Sequence, residues 1–169
     1  FVDAQNNFWV FGGQDALNGV FNDLWKYDPN TNQWTFMKGD MVLNGLGNYG
    51  VKGVEAPSNL PPARLSYTKW KALDGSFYIF AGGDFNNVNY NDVWRYNPLT
   101  NNWTWVSGSN ASNNPGIYGL NCDPNVTDYP SYRIENQTVS TVGCTEVFWS
   151  FGGFEGLQAS NTMNDLWLY

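Results

Sequence analysis

One block of residues occurs three times, and that repetition constrains the chain more than its composition does. Asn22-Asp23-Leu24-Trp25-Lys26-Tyr27-Asp28-Pro29 returns as Asn91-Asp92-Val93-Trp94-Arg95-Tyr96-Asn97-Pro98, then as Asn164-Asp165-Leu166-Trp167-Leu168-Tyr169. Ahead of each block a Gly-Gly pair closes an aromatic run: Phe11-Gly12-Gly13, Ala81-Gly82-Gly83 and Phe151-Gly152-Gly153, 70 residues apart each time. Thr31-Asn32-Gln33-Trp34-Thr35 matches Thr100-Asn101-Asn102-Trp103-Thr104 at a spacing of 69. The connecting segment repeats as well, since Gly47, Tyr49, Gly50, Pro61 and Arg64 align with Gly116, Tyr118, Gly119, Pro130 and Arg133, all 69 apart. Self-similarity at a fixed period marks an array of one supersecondary unit that buries its apolar faces only against its neighbours.

Each unit reads as four strands. The first follows Arg64 or Arg133 and covers Leu65 to Trp70 in the complete unit. The second is the aromatic run: Phe8 to Phe11, Phe77 to Ala81, Val147 to Phe151. The third spans Leu24 to Tyr27, Val93 to Tyr96 and Leu166 to Tyr169, and the fourth Trp34 to Met37 and Trp103 to Val106. Turn chemistry sets the boundaries. Asp28-Pro29-Asn30 suits a type I turn, with an Asx acceptor first and Pro second. Asp74-Gly75 suits a hairpin between the first and second strands. At the Gly-Gly pair a strand turns sharply, with positive φ where a Cβ would clash. In the third strand Trp25 and Tyr27 share one face, Leu24 and Lys26 the other. A sheet with large side chains on both faces needs a neighbour on each side, which radial stacking of blades supplies.

Composition removes several alternatives. Nine Trp, 10 Tyr and 11 Phe give enough aromatic surface for collapse, so the 18 Gly, 8 Pro and 24 Asn are punctuation of a fold and not disorder. No run approaches the roughly 20 apolar residues of a membrane-spanning helix, and no long stretch carries helical periodicity. A net charge of −7 without a basic run opposes binding to a phosphate backbone. The absence of His removes imidazole triads and most zinc and copper sites.

With hydrophobic-Gly-Gly, Trp-x-Tyr and a trailing Trp at fixed offsets, the chain resembles the kelch-repeat β-propellers, of which the central domain of galactose oxidase is one. The Gly-x-Tyr-Gly segment and the Arg after it resemble kelch proteins with extended connections between blades. The resemblance implies an all-β propeller of four-stranded blades, about two and a half of them in this chain. One kelch-type propeller part then covers residues 1–169: a blade at 1–37, a connection at 38–63, a blade at 64–106, a connection at 107–132 and a partial blade at 133–169. Propellers close with roughly four to eight blades. The expectation is therefore a piece of a longer protein, with remaining blades or neighbouring copies of the chain as partners. Kelch propellers serve as enzymes, adhesion modules, adaptors and scaffolds, so fold alone does not choose. The copper-radical oxidase chemistry needs His ligands and a crosslinked Tyr-Cys pair, and is not carried over.

Each candidate site has a structural reading beside its functional one. The Gly-Gly pairs lack the Lys and helix of a phosphate cradle and are expected to shape turns. The Asn-Asp pairs lack the carboxylate spacing of a calcium loop and are expected to cap loops. Arg64 and Arg133 could ring a central channel and hold an anion; hydrogen bonding to loop carbonyls is the favoured reading. Trp34 and Trp103, with Phe36 and Trp105 two residues on, could stack sugars; packing between blades is favoured, with Trp105 partly exposed. Trp25, Trp94 and Trp167 are expected to be buried with their indole N–H groups satisfied. Glu135 and Asp84 are the best available carboxylate pair for glycoside chemistry, and a poor one. No catalytic residue, cofactor or metal is expected. The alternative is a piece of a carbohydrate-active oxidase or lyase whose catalytic residues lie in blades outside this sequence.

Compartment follows from cysteines and sequons. Asn102, Asn110, Asn125 and Asn136 each begin an Asn-x-Ser/Thr triplet, and three of the four share a segment with Cys122 and Cys144. Cys122 and Cys144 replace Gly53 and Gly75 of the preceding unit together, which a disulfide between them explains. The sequence thus reads as an extracellular or cell-surface, N-glycosylated structural or interaction module, carrying N-linked glycans and meeting a protein or glycan partner, with no nucleic acid bound and no membrane span.

Overall fold

The computed structural model describes all residues except 121–124, 126, 143–145 and 157–160. Its described elements are strands: β1 (Phe8–Gln14), β2 (Val20–Asp28), β3 (Gln33–Lys38), β4 (Thr68–Lys71), β5 (Phe77–Phe80), β6 (Val93–Asn97), β7 (Asn102–Ser107), β8 (Gln137–Val142), β9 (Glu146–Phe154) and β10 (Thr162–Leu168). They form three antiparallel sheets, ordered β1-β2-β3, β4-β5-β6-β7 and β10-β9-β8. This all-β arrangement of antiparallel sheets is a partial β-propeller, and each sheet is called a blade below. Residues ahead of β1 extend the first blade, since the Phe1 amine donates to the Trp9 carbonyl and Val2 bridges Phe8.

The turns follow the local chemistry. Asp28 Oδ1 accepts the Asn30 N–H at 2.8 Å, and Gly75 takes φ +83° in the β4–β5 turn. Asn is the other turn device. Asn18 and Asn87, Asn32 and Asn101, and Asn44 and Asn113 are three repeat pairs in the left-handed region, which Asn tolerates better than other side chains. Six of the 24 asparagines are explained there.

Between the first two blades lies the larger core. Trp9, Phe11 and Leu24 of the first blade pack with Phe77, Ile79, Trp94, Tyr96, Trp103 and Trp105 of the second. A smaller cluster joins the second blade to the third through Trp70, Phe80, Val93 and Phe148, with Tyr169 against it. The second blade therefore has one face toward the first, bearing Trp94 and Tyr96, and one toward the third.

The structure corrects the repeat alignment at the Gly-Gly pair. Leu24 pairs with Phe11, Val93 with Phe80, and Leu166 with Phe151. Phe11 thus corresponds to Phe80, not Ala81. The left-handed positions of Gly12 and Gly13 fall on Ala81 (φ +60°) and Gly82 (φ +91°), one residue before the Gly82-Gly83 pair, while Gly152 and Gly153 keep them. The structural spacings are 69 and 71. A Cβ on Gly82 would lie 2.8 Å from the Leu65 carbonyl, so glycine is required there by space as well as by φ.

Candidate functional site

The most elaborate polar cluster joins a connection to the strand that follows it. Arg64 leaves the Pro61-Pro62-Ala63 segment with its side chain fully buried. Its Nη1 and Nη2 donate to the two carboxylate oxygens of Asp92 at 2.5 and 2.9 Å. Nε donates to the Pro62 carbonyl at 3.0 Å and Nη1 also to Ala81 at 2.9 Å. The guanidinium plane lies 4.2 Å from the Tyr90 ring. Asp92 accepts two further bonds, from Trp94 Nε1 at 2.8 Å and from the Tyr49 hydroxyl at 2.5 Å. Burial works against the Arg64 charge, but the facing carboxylate outweighs it and holds the guanidinium protonated. Burial and Asp92 together push the Tyr49 phenol well above its ordinary range.

The same node recurs in the third blade. Arg133 donates to Asp165 at 2.7 and 2.8 Å and to the Ser131 and Gly152 carbonyls at 3.2 and 3.0 Å. Asp165 accepts from Trp167 Nε1 at 2.7 Å and from the Tyr118 hydroxyl at 3.1 Å. Partial burial raises the Asp165 pKa, yet bonds from Arg133 and Trp167 overcome it and leave the carboxyl at about 2. In the first blade Asp23 still accepts from Trp25 Nε1, at 2.6 Å. In the first two Asn-Asp pairs, loop capping falls to the Asn. Asn91 accepts from the Ser109 N–H and donates to the Pro130 carbonyl; Asn22 treats Asp40 and Pro61 alike.

The anion-holding ring of guanidiniums is thereby replaced. Arg64 and Arg133 bond loop carbonyls, as expected from Arg's donor geometry, but their main partner is a carboxylate 28 or 32 residues ahead that the sequence reading did not assign. Asp84 caps its own turn through the Asn86 and Val88 N–H groups, while Glu135 is exposed.

Repeated aromatics divide by blade. All three indoles at the Trp25 position are satisfied by the Asp two residues earlier, but only Trp94 is fully buried; Trp25 and Trp167 are half-buried. Trp103 is fully buried, whereas Trp34 at the same repeat position is 56% exposed. Trp105 departs from its expected partial exposure and is buried in edge contact with Tyr49, ring centroids 5.1 Å apart. Tyr27 and Tyr96 donate to Asn32 and Asn101 at 2.8 Å, and Tyr169 is packed against Phe80.

Among the sequons, Asn110 and Asn125 lie exposed in the second connection. Asn102 is half-buried in β7, where its amide meets Lys38 and Glu55. Asn136 corrects the sequence reading. It is buried, its Nδ2 donates to Ser150 Oγ, and its oxygens accept from Thr68, so the atom that would carry a sugar faces the protein interior. Cys122 and Cys144 lie outside the described residues.

Two sheet faces are open, and they are not alike. On the first blade Phe8, Val10, Trp34 and Phe36 are exposed. Sixty-nine residues on, Phe77, Ile79, Trp103 and Trp105 are the buried face that the second blade turns toward the first. On the third blade Trp149, Phe151 and Leu166 are exposed, and by strand register they correspond to Trp9, Phe11 and Leu24, which the first blade buries against the second. The two open faces thus carry the two halves of one packing interface.

Comparison with protein families matches the kelch motif at residues 5–39 and 72–107. Both matches run from the second strand of a blade through its fourth, β1–β3 and β5–β7. No curated protein matches the chain.

Proposed function

We propose that this kelch-repeat protein is an extracellular, N-glycosylated scaffold or interaction module that works by packing blade against blade. The kelch repeats support the coarser part, an interaction or scaffold role. The complementary open faces support the packing of blade against blade. Exposed patches of this kind on a soluble domain mark association surfaces, and here the chemistry of the matching partner is written elsewhere in the same chain. Further blades of the same protein, or another copy, would meet Phe8, Val10, Trp34 and Phe36 with equivalents of Trp9, Phe11 and Leu24. The Arg–Asp nodes contribute rigidity: they tie each connection to its blade so that the faces are presented in fixed register.

The secretory part rests on the exposed sequons at Asn110 and Asn125 and on the presence of Cys122 and Cys144 in the same stretch of chain. Expression through a secretory pathway tests it. Glycopeptide masses should show sugar at Asn110 and Asn125, and intact mass without reductant should show the loss of two hydrogens of a Cys122–Cys144 bond. Unmodified asparagines with free thiols would remove the extracellular assignment and leave the packing proposal standing.

A further inference from the structure

The β1–β2 and β5–β6 turns are the same structure built on different residues. In the first, Asp15 Oδ1 accepts the N–H groups of Leu17 and Gly19 at 2.9 and 2.7 Å. In the second, Asp84 Oδ1 accepts those of Asn86 and Val88 at 2.9 and 2.8 Å. Asn18 and Asn87 occupy the same place with φ of +66° and +61°. The turns differ at three of their five positions, and the difference next to the asparagine is Gly19 in one and Val88 in the other. A Cβ at Gly19 would come within 2.8 Å of Leu43 Cδ2, so Leu43 of the connection occupies the space that a side chain would need.

We propose that Asn18 is a site of spontaneous deamidation, and that the turn confines the reaction to it. Asparagine amides are thermolabile groups, and the nitrogen that attacks them belongs to the next residue. Gly19 has no Cβ to crowd the attacking nitrogen, whereas the branched Val88 crowds it at Asn87. Asp15 Oδ1, already accepting the Gly19 N–H, is placed to take its proton. The bond from Gly19 N to Asn18 Cγ forms, the bond from Cγ to the amide nitrogen breaks, and ammonia leaves with the proton. Water then opens the cyclic imide at either carbonyl, giving aspartate or isoaspartate. Asn18 is exposed, and its side chain makes no hydrogen bond among the described residues. The other Asn-Gly pair, Asn44-Gly45, is held closed. Asn44 exchanges bonds with Val20, accepting at Oδ1 and donating from its backbone. Isoaspartate at position 18 would add a backbone carbon and a second carboxylate to the turn that supports Leu43.

The test is storage of the folded chain at mildly alkaline pH, with peptide mapping by mass and isoaspartate detection. Asn18 should convert at least about tenfold faster than Asn87 and Asn44, a barrier difference of about 1.4 kcal/mol. Val88→Gly should create a second site at Asn87, a gain that loss of folding elsewhere would not mimic at one turn alone. Asp15→Asn, which keeps an acceptor oxygen, should slow Asn18 conversion. Equal rates at Asn18 and Asn87, or an inert Asn87 in Val88→Gly, would overturn the proposal; an unchanged rate in Asp15→Asn would remove the proton-acceptor role.

Discussion

Replacing Asp92 by Asn tests the node that ties a connection to its blade. The substitution keeps the shape of the side chain and leaves the Arg64 guanidinium, fully buried at the node, without a countercharge. Breaking a buried pair by removing one partner costs about 3–5 kcal/mol, because the remaining charge stays desolvated. Against a total stability of about 5–15 kcal/mol for a domain, that is a large fraction. With a urea slope of roughly 2 kcal/mol/M, the midpoint should fall by about 1.5–2.5 M. Trp94, whose indole donates to Asp92, makes tryptophan fluorescence a direct probe. The three blades supply a graded series. Asp165 pairs with Arg133 but is 23% exposed, so Asp165→Asn should cost less, about 1.5–3 kcal/mol. Asp23 is bonded to Trp25 alone among the described residues, and Asp23→Asn should cost about 0.5–1.5 kcal/mol. Removing both charges, as Arg64→Met with Asp92→Leu, should recover much of the loss. Equal costs at all three positions, or less than about 1 kcal/mol at Asp92, would refute the node as the connection's anchor.

Three further outcomes follow from the same geometry. Trp103→Ala should cost about 3–5 kcal/mol while Trp34→Ala, at the same repeat position on an open face, costs well under half of that in unfolding experiments. Asp165 has its pKa depressed from 3.8 to about 2 in the folded chain; the stability it contributes is present above pH 4 and lost as pH falls toward 2, so acid titrations of Asp165→Asn should lose that segment of the curve. Gly82→Ala should destabilise by more than about 1–2 kcal/mol, the left-handed penalty alone, because its Cβ also meets the Leu65 carbonyl at 2.8 Å, whereas Ala81→Gly should be neutral or stabilising by thermal melt.

Strands were legible because aromatic alternation and the 69-residue period reinforce each other, and the sheets fall where the runs lie. The blade pairing of Trp94 and Tyr96 on one face was legible from alternation alone. Three things were not. The Arg–Asp pairing joins residues 28 and 32 positions apart, and nothing local says which carboxylate a buried Arg will meet. The co-occurrence of Arg with Asn-Asp in the second and third blades was the available signal. The Gly-Gly alignment misled because a glycine pair looks like one device wherever it stands. The backbone instead put Ala81 in the left-handed region, a cost of about 1–2 kcal/mol that the surrounding bonds absorb. Asn136 reads as a sequon, yet tertiary contacts with Thr68 and Ser150 decide that its amide points inward.

The packing claim is tested most directly by mixing two single-face variants. Val10→Lys puts a charge on the open face of the first blade, and Phe151→Lys does so on the open face of the third. Each variant alone should be monomeric by sedimentation velocity, because a head-to-tail interface needs both faces. The unaltered chain should assemble beyond a dimer or close into a ring. A mixture of the two variants retains one intact face of each kind and should form a heterodimer that grows no further. Monomers in the mixture, or self-association of either variant alone, would contradict the account.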